Sequence, residues 1–96
     1  MKNKDIYWLK IINIVKEENK LIFTSKDILR IIGEEESKNG FVRNLYIMAG
    51  CFVSIAQKNE WIKLYGTGLG NFDNKIWTIT LKGLWEIRKY KETFND

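Results

Sequence analysis

Ninety-six residues, 45% hydrophobic and 14% aromatic, fit one domain around one modest core. The single cysteine, Cys51, excludes an internal disulfide and a cysteine-based zinc site, and the lack of histidine removes the usual general base, metal ligand and pH switch. The formal charge of +4 is uneven: residues 1–36 carry seven Lys/Arg and seven Asp/Glu, whereas residues 37–96 carry nine and five.

A basic C-terminal part points to an anionic partner, of which nucleic acid is the commonest. No run of about 18 apolar residues exists, so no transmembrane span is expected. The opening MKNKDIYW and the stretch after it lack the clean apolar centre of a signal peptide, so an intracellular protein is expected. No constellation for catalysis, cofactor binding or a small-molecule ligand stands out. Heavy use of Ile, Lys and Asn with no Pro suits an AT-rich genome.

Asp5 to Glu18 is predicted as the first helix. Ile6, Leu9, Ile12 and Val15 recur at helical spacing, and Trp8 and Ile11 widen the apolar face. Leu21-Ile22-Phe23 is too short for a helix and reads as a small strand able to pair with a later one. Thr24-Ser25-Lys26-Asp27 fits a capping box with Asp in place of the usual Glu. The second helix is predicted to bury Ile28, Leu29 and Ile31 or Ile32 and to stop at Gly33.

Gly33 to Gly40, GEEESKNG, reads as a polar loop, or as a loop running into the next helix. Its acidic triplet, Glu34 to Glu36, reads as a solvated turn or a negatively charged helix start. The third helix is predicted from about Phe41 to Lys58, with Ser37 as an alternative start. Phe41, Leu45, Met48, Phe52, Ile55 and Ala56 form its core face, and Arg43, Tyr46, Ile47, Gly50, Ser54 and Gln57 the opposite one. Cys51 reads as a small half-buried residue.

Trp61 to Tyr65 and Lys75 to Ile79 have strand character. Between them, Gly66 to Asn74 holds three Gly, two Asn and one Asp, residues that tolerate turns. Trp77 and Ile79 fall on one face of the second strand, Ile76 and Thr78 on the other. Thr80 is placed to cap a last helix reaching about Phe94. Its apolar surplus, Trp85, Ile87, Tyr90 and Phe94, can pack on the first helix or on a second subunit.

The run Trp77-Thr78-Ile79-Thr80-Leu81-Lys82-Gly83 resembles the aromatic-x-aliphatic-Thr-x-x-Gly pattern that closes the wing of winged helix-turn-helix proteins, with Trp where Tyr is usual. The order helix, short strand, two helices, strand, loop, strand, helix resembles that family over almost the whole chain. The likeness is to small archaeal, viral or plasmid-type transcriptional regulators. It implies an α+β, mostly helical fold with a small antiparallel hairpin and a C-terminal helix. It also implies binding to duplex DNA as a dimer acting in transcription regulation.

On that reading the third helix enters the major groove, which admits a helix. Arg43 would read guanine, and Asn44 or Asn39 adenine. Ser37 and Lys38 would hold phosphate, helped by backbone N–H groups at the helix start. Asn71, Asn74, Lys75 and Lys63 would contact the flanking backbone or minor groove. Trp85, Ile87, Tyr90 and Phe94 would supply the dimer interface. The alternative is a protein-interaction module of the same fold within a transcription or replication assembly, since fold does not fix function.

Overall fold

Apolar residues at helical spacing and three short runs of β-type residues organise the chain as follows. The computed structural model describes residues 3–40, 44–65 and 75–95. Its elements are α1 (Asn3–Glu17), β1 (Ile22–Thr24), α2 (Ser25–Lys38), α3 (Leu45–Lys58), β2 (Ile62–Leu64), β3 (Ile76–Ile79) and α4 (Leu81–Tyr90), followed by a 3-10 turn at Lys91–Asn95. The fold is α+β and mostly helical, with a small three-stranded antiparallel sheet in the order β1-β3-β2.

α1 is the central support. Leu9, Ile11, Ile12 and Val15 are fully buried in it, and Trp8 nearly so. They meet α2, α3 and α4. Each such fully buried large side chain stabilises the fold by roughly 1.5–3 kcal/mol relative to exposure. α1 ends in a Schellman motif: the Lys20 N–H bonds the Val15 carbonyl at 3.2 Å and the Asn19 N–H bonds Lys16 at 2.8 Å. Asn19, at φ 62°, takes the left-handed position, which Asn tolerates better than most residues.

α2 opens on the predicted capping box. The Thr24 hydroxyl accepts the Asp27 N–H, and the Asp27 carboxylate accepts the Thr24 N–H at 3.0 Å. The predicted stop at Gly33 is corrected. The helix passes through Gly33 and ends at Lys38, with Asn39 as cap and Gly40 at φ 77° in the left-handed turn. A Cβ on Gly33 would sit 3.3 Å from Leu45 Cδ1, so this glycine marks where α3 packs on α2. The segment read as a polar loop therefore continues the helix, and the acidic triplet lies on it.

α3 begins later than Phe41, because Asn44 caps it: its side-chain oxygen accepts the Tyr46 N–H at 3.0 Å and the Ile47 N–H at 3.3 Å. Met48, Ala49, Phe52 and Ala56 are buried. The Phe52 ring lies 5.9 Å from that of Trp8. Cys51, expected half-buried, is exposed. A second Schellman motif ends α3. The Trp61 N–H bonds Ala56 at 2.9 Å, the Glu60 N–H bonds Gln57 at 3.0 Å, and Glu60 has φ 62°.

The sheet follows directly. β2 pairs β3 in the register Ile62↔Ile79, Lys63↔Thr78, Leu64↔Trp77, and β1 pairs the other edge of β3 through Phe23↔Trp77. The predicted alternation holds: Trp77 and Ile79 are buried with Phe23 and Ile62, while Ile76 is exposed and Thr78 half-buried. Thr80 links this sheet to α4. Its hydroxyl accepts the Gly83 N–H at 3.0 Å and donates toward the carbonyls of Glu60 and Trp61. Its own N–H bonds the Trp61 carbonyl at 2.9 Å. A Cβ on Gly83 would collide with that same Trp61 carbonyl oxygen, so only glycine lets α4 approach this closely.

Candidate nucleic-acid interface

The outward face of α3 is built by its cap and its core contacts. With Met48, Ala49, Phe52 and Ala56 turned inward, the helical period turns Tyr46, Ile47, Gly50, Cys51, Ser54, Gln57 and Lys58 to solvent. Tyr46 is 61% and Ile47 65% exposed. No residue of the helix is acidic, and its one charge is Lys58 in the last turn. A Cβ on Gly50 would meet nothing within 4 Å.

Glu60, just past the end of α3, is exposed, whereas two of the three carboxylates at the end of α2 are buried in contacts with α1. Glu35 pairs with Lys10 of α1 at 3.2 Å and with Lys38 at 3.1 Å. Burial pushes its carboxyl up, but Lys38 and Lys10 outweigh that and hold it below the ordinary range. Glu36 is buried and accepts from the Tyr7 hydroxyl at 3.2 Å. Glu34 lies 3.6 Å from Arg30. Glu35 and Glu36 thus form an α1–α2 contact rather than a solvated turn, while Glu34 stays exposed on α2. The same side holds Lys20–Asp27 at 2.7 Å and the two-point Arg30–Glu18 pair. Burial pushes Asp27 up, yet Lys20 and the Thr24 N–H hold it below its ordinary value.

The predicted contact residues divide. Ser37, Lys38 and Asn39 are exposed but sit at the C-terminal end of α2, where carbonyls rather than N–H groups are presented. The expected phosphate site at a helix start is therefore corrected for Ser37 and Lys38, and Asn39, expected to read adenine, caps the end of α2 instead of standing near the start of α3. Asn39 also borders a cleft of about 430 Å³ with Tyr7, Trp8, Glu36, Met48 and Cys51. Asn44, expected as an alternative to Asn39 to read adenine, is exposed, and its side-chain oxygen is engaged in capping α3. Lys63 is exposed on the outer face of the sheet beside Thr78, and Lys75 is half-buried just before β3. Arg43, Asn71 and Asn74 lie outside the described residues.

The predicted dimer residues divide as well. Ile87 and Phe94 are buried in the protein's own core, and Tyr90 is half-buried against it. They complete the packing of α4 and the 3-10 turn on α1, which corrects their assignment to a subunit interface. Trp85 is 64% exposed, and Leu81, one turn before it, is 85% exposed. Leu81 was not among the predicted interface residues. Tyr46 and Ile47 likewise fall outside the predicted contact set, although the helical period alone puts both on the outward face.

Among the described residues no group of three or more His, Cys, Asp or Glu is arranged to hold a metal ion, and no helix is long and apolar enough to cross a membrane. Comparison with protein-family models, curated proteins and solved structures finds no match to this chain.

Proposed function

We propose that the protein is a winged helix-turn-helix domain that binds double-stranded DNA in a sequence-specific way, as a dimeric transcriptional regulator. α3 enters the major groove, and the β2–β3 pair lies on the flanking backbone. The observation that carries this reading is the outward face of α3: it bears no carboxylate, and a tight Schellman turn leads from it into the strand that bears Lys63. The sheet order β1-β3-β2, with α4 capped off the end of β3, supports the same architecture. Lys58, Lys63 and Lys75 neutralise phosphates. Arg43, Asn71 and Asn74 keep the contacts that their residue types suit: guanine for Arg43, and the flanking backbone or minor groove for Asn71 and Asn74.

Dimerisation through α4 rests on Leu81 and Trp85, an exposed apolar pair at i, i+4 spacing. The same pair supports the second reading, a module that binds a different protein. Sedimentation of the protein alone separates the two.

The DNA reading is tested by titrating a duplex at several salt concentrations. The affinity falls as salt rises, with a slope near −0.9 per phosphate neutralised, and Lys63→Ala lowers that slope by about one contact. The reading is wrong if no duplex binds at low salt, or if binding ignores salt.

A further inference from the structure

We infer that part of the base preference of this domain is set by thymine methyl groups, contacted by Ile47 with Tyr46 at the first turn of α3. The inference rests on the DNA reading and specifies what that site recognises. Ile47 and Tyr46 are adjacent, and each is more than half exposed. Their neighbours Met48 and Ala49 are buried and fix the orientation of the turn. No described part of the protein covers the two outward side chains.

The charge pattern selects the occupant. An interface shaped for a basic protein would carry carboxylates. This helix has none; past its end Glu60 is exposed, but Lys58 in the last turn and Lys63 on the following strand stand on either side of it and leave the region net positive. A polyanion fits that arrangement. In docked helices of this kind the N-terminal residues reach the base edges. Among the described residues the polar candidate at that end, Asn44, has its acceptor engaged by the Tyr46 and Ile47 N–H groups. What the first turn presents outward is therefore chiefly apolar. On the major-groove edge of the four base pairs, the apolar feature is the C5-methyl of thymine.

Gly50 adds a second, independent observation. It lies three residues beyond Ile47 and four beyond Tyr46, on the same outward side of the helix. Glycine inside a helix is less favourable than alanine, because it loses more backbone freedom on folding. Nothing among the described residues requires it here, since an added Cβ would meet none of them within 4 Å. Its value lies in what approaches from outside: without a side chain at 50, the helix backbone can come closer to the base edges. Ile47 and Tyr46 then reach the methyl layer.

The experiment uses the full chain and duplexes selected from a random library. The best duplex is remade with deoxyuridine replacing thymidine one position at a time, which removes a methyl and alters no hydrogen-bonding group. Affinity is expected to fall about fourfold for each contacted methyl removed. Ile47→Ala, at an exposed position that leaves folding intact by thermal melting, is expected to bind the thymine and uracil duplexes equally at one or more of those positions. Lys63→Ala is expected to weaken both duplexes by the same factor. If duplexes bind but uracil substitution changes nothing, or if Ile47→Ala keeps the full discrimination, this inference is overturned and the DNA reading stands. If no duplex is bound at all, both fall together.

Discussion

Gly83 and Gly50 are both helical, and the same substitution should move stability in opposite directions. In Gly83→Ala the new Cβ would overlap the Trp61 carbonyl oxygen and lie 3.1 Å from its carbon and 3.2 Å from Ile79 Cγ2. That carbonyl cannot move freely, because the Thr80 N–H and hydroxyl both hold it. Overpacking of this kind costs about 1–3 kcal/mol, and weakening one of those hydrogen bonds adds about 1. The helix propensity of alanine offsets up to about 1. The net loss is about 2 kcal/mol, which lowers Tm by roughly 8–16 °C in a domain of this size. In Gly50→Ala the Cβ meets nothing, so the propensity term acts alone and raises Tm by a few degrees, about 0.5–1 kcal/mol. Thermal and urea unfolding followed through tryptophan fluorescence measures both, since Trp61 and Trp77 are buried reporters. A Gly83→Ala protein as stable as wild type would refute the close approach of α4 to the start of the hairpin.

Thr80→Val removes the cap on Gly83 and the hydroxyl contacts to Glu60 and Trp61, and is expected to lose about 1–2 kcal/mol in the same assay, with Thr80→Ser retaining most of it. Glu60→Asn places a residue more tolerant of φ 62° at the end of α3 and is expected to gain up to about 0.5–1 kcal/mol. Asp27 and Glu35 both have folded pKa values held below the ordinary carboxylate range. Their contribution is therefore complete above that range and is lost as pH falls through the folded values. Urea midpoints should stay level from neutral pH to about 5 and drop below about 4, with a shallower drop in Asp27→Asn. Trp85→Glu should convert a sedimenting dimer to monomer without lowering Tm, because Trp85 is largely exposed; a wild type that sediments as a monomer refutes the interface.

Much of the fold was legible because local and tertiary signals agree. The 3.6 period of α1, the Thr24 capping box, the alternation around Trp77 and the Thr80 cap each recur as expected. The end of α2 was not. Two glycines, Gly33 and Gly40, offered the same stop signal, and the acidic run between them looks like a loop when its partners are unknown. Lys10 and Tyr7, 25 and 29 residues away from Glu35 and Glu36, decide the matter, and such pairing is not local in sequence. That one displacement moved Ser37 and Lys38 from a helix start to a helix end.

The candidate site was partly legible for a related reason. The helical period gave the outward face of α3, but hydrogen-bonding residue types drew attention away from Tyr46 and Ile47. Asn44 looked free to read a base because its capping role depends on where the helix begins. For α4, the period alone does not say which apolar residues α1 will cover. The packing of Ile87 and Phe94 on α1 answers that, and leaves Trp85 with Leu81 outside.

Selection of binding sites from a random duplex library, carried out at low salt with the full chain, tests the central claim most directly. Enrichment of a thymine-containing motif repeated with two-fold symmetry, bound less tightly as salt rises, is the predicted result. A selected pool no different from the starting library would contradict it.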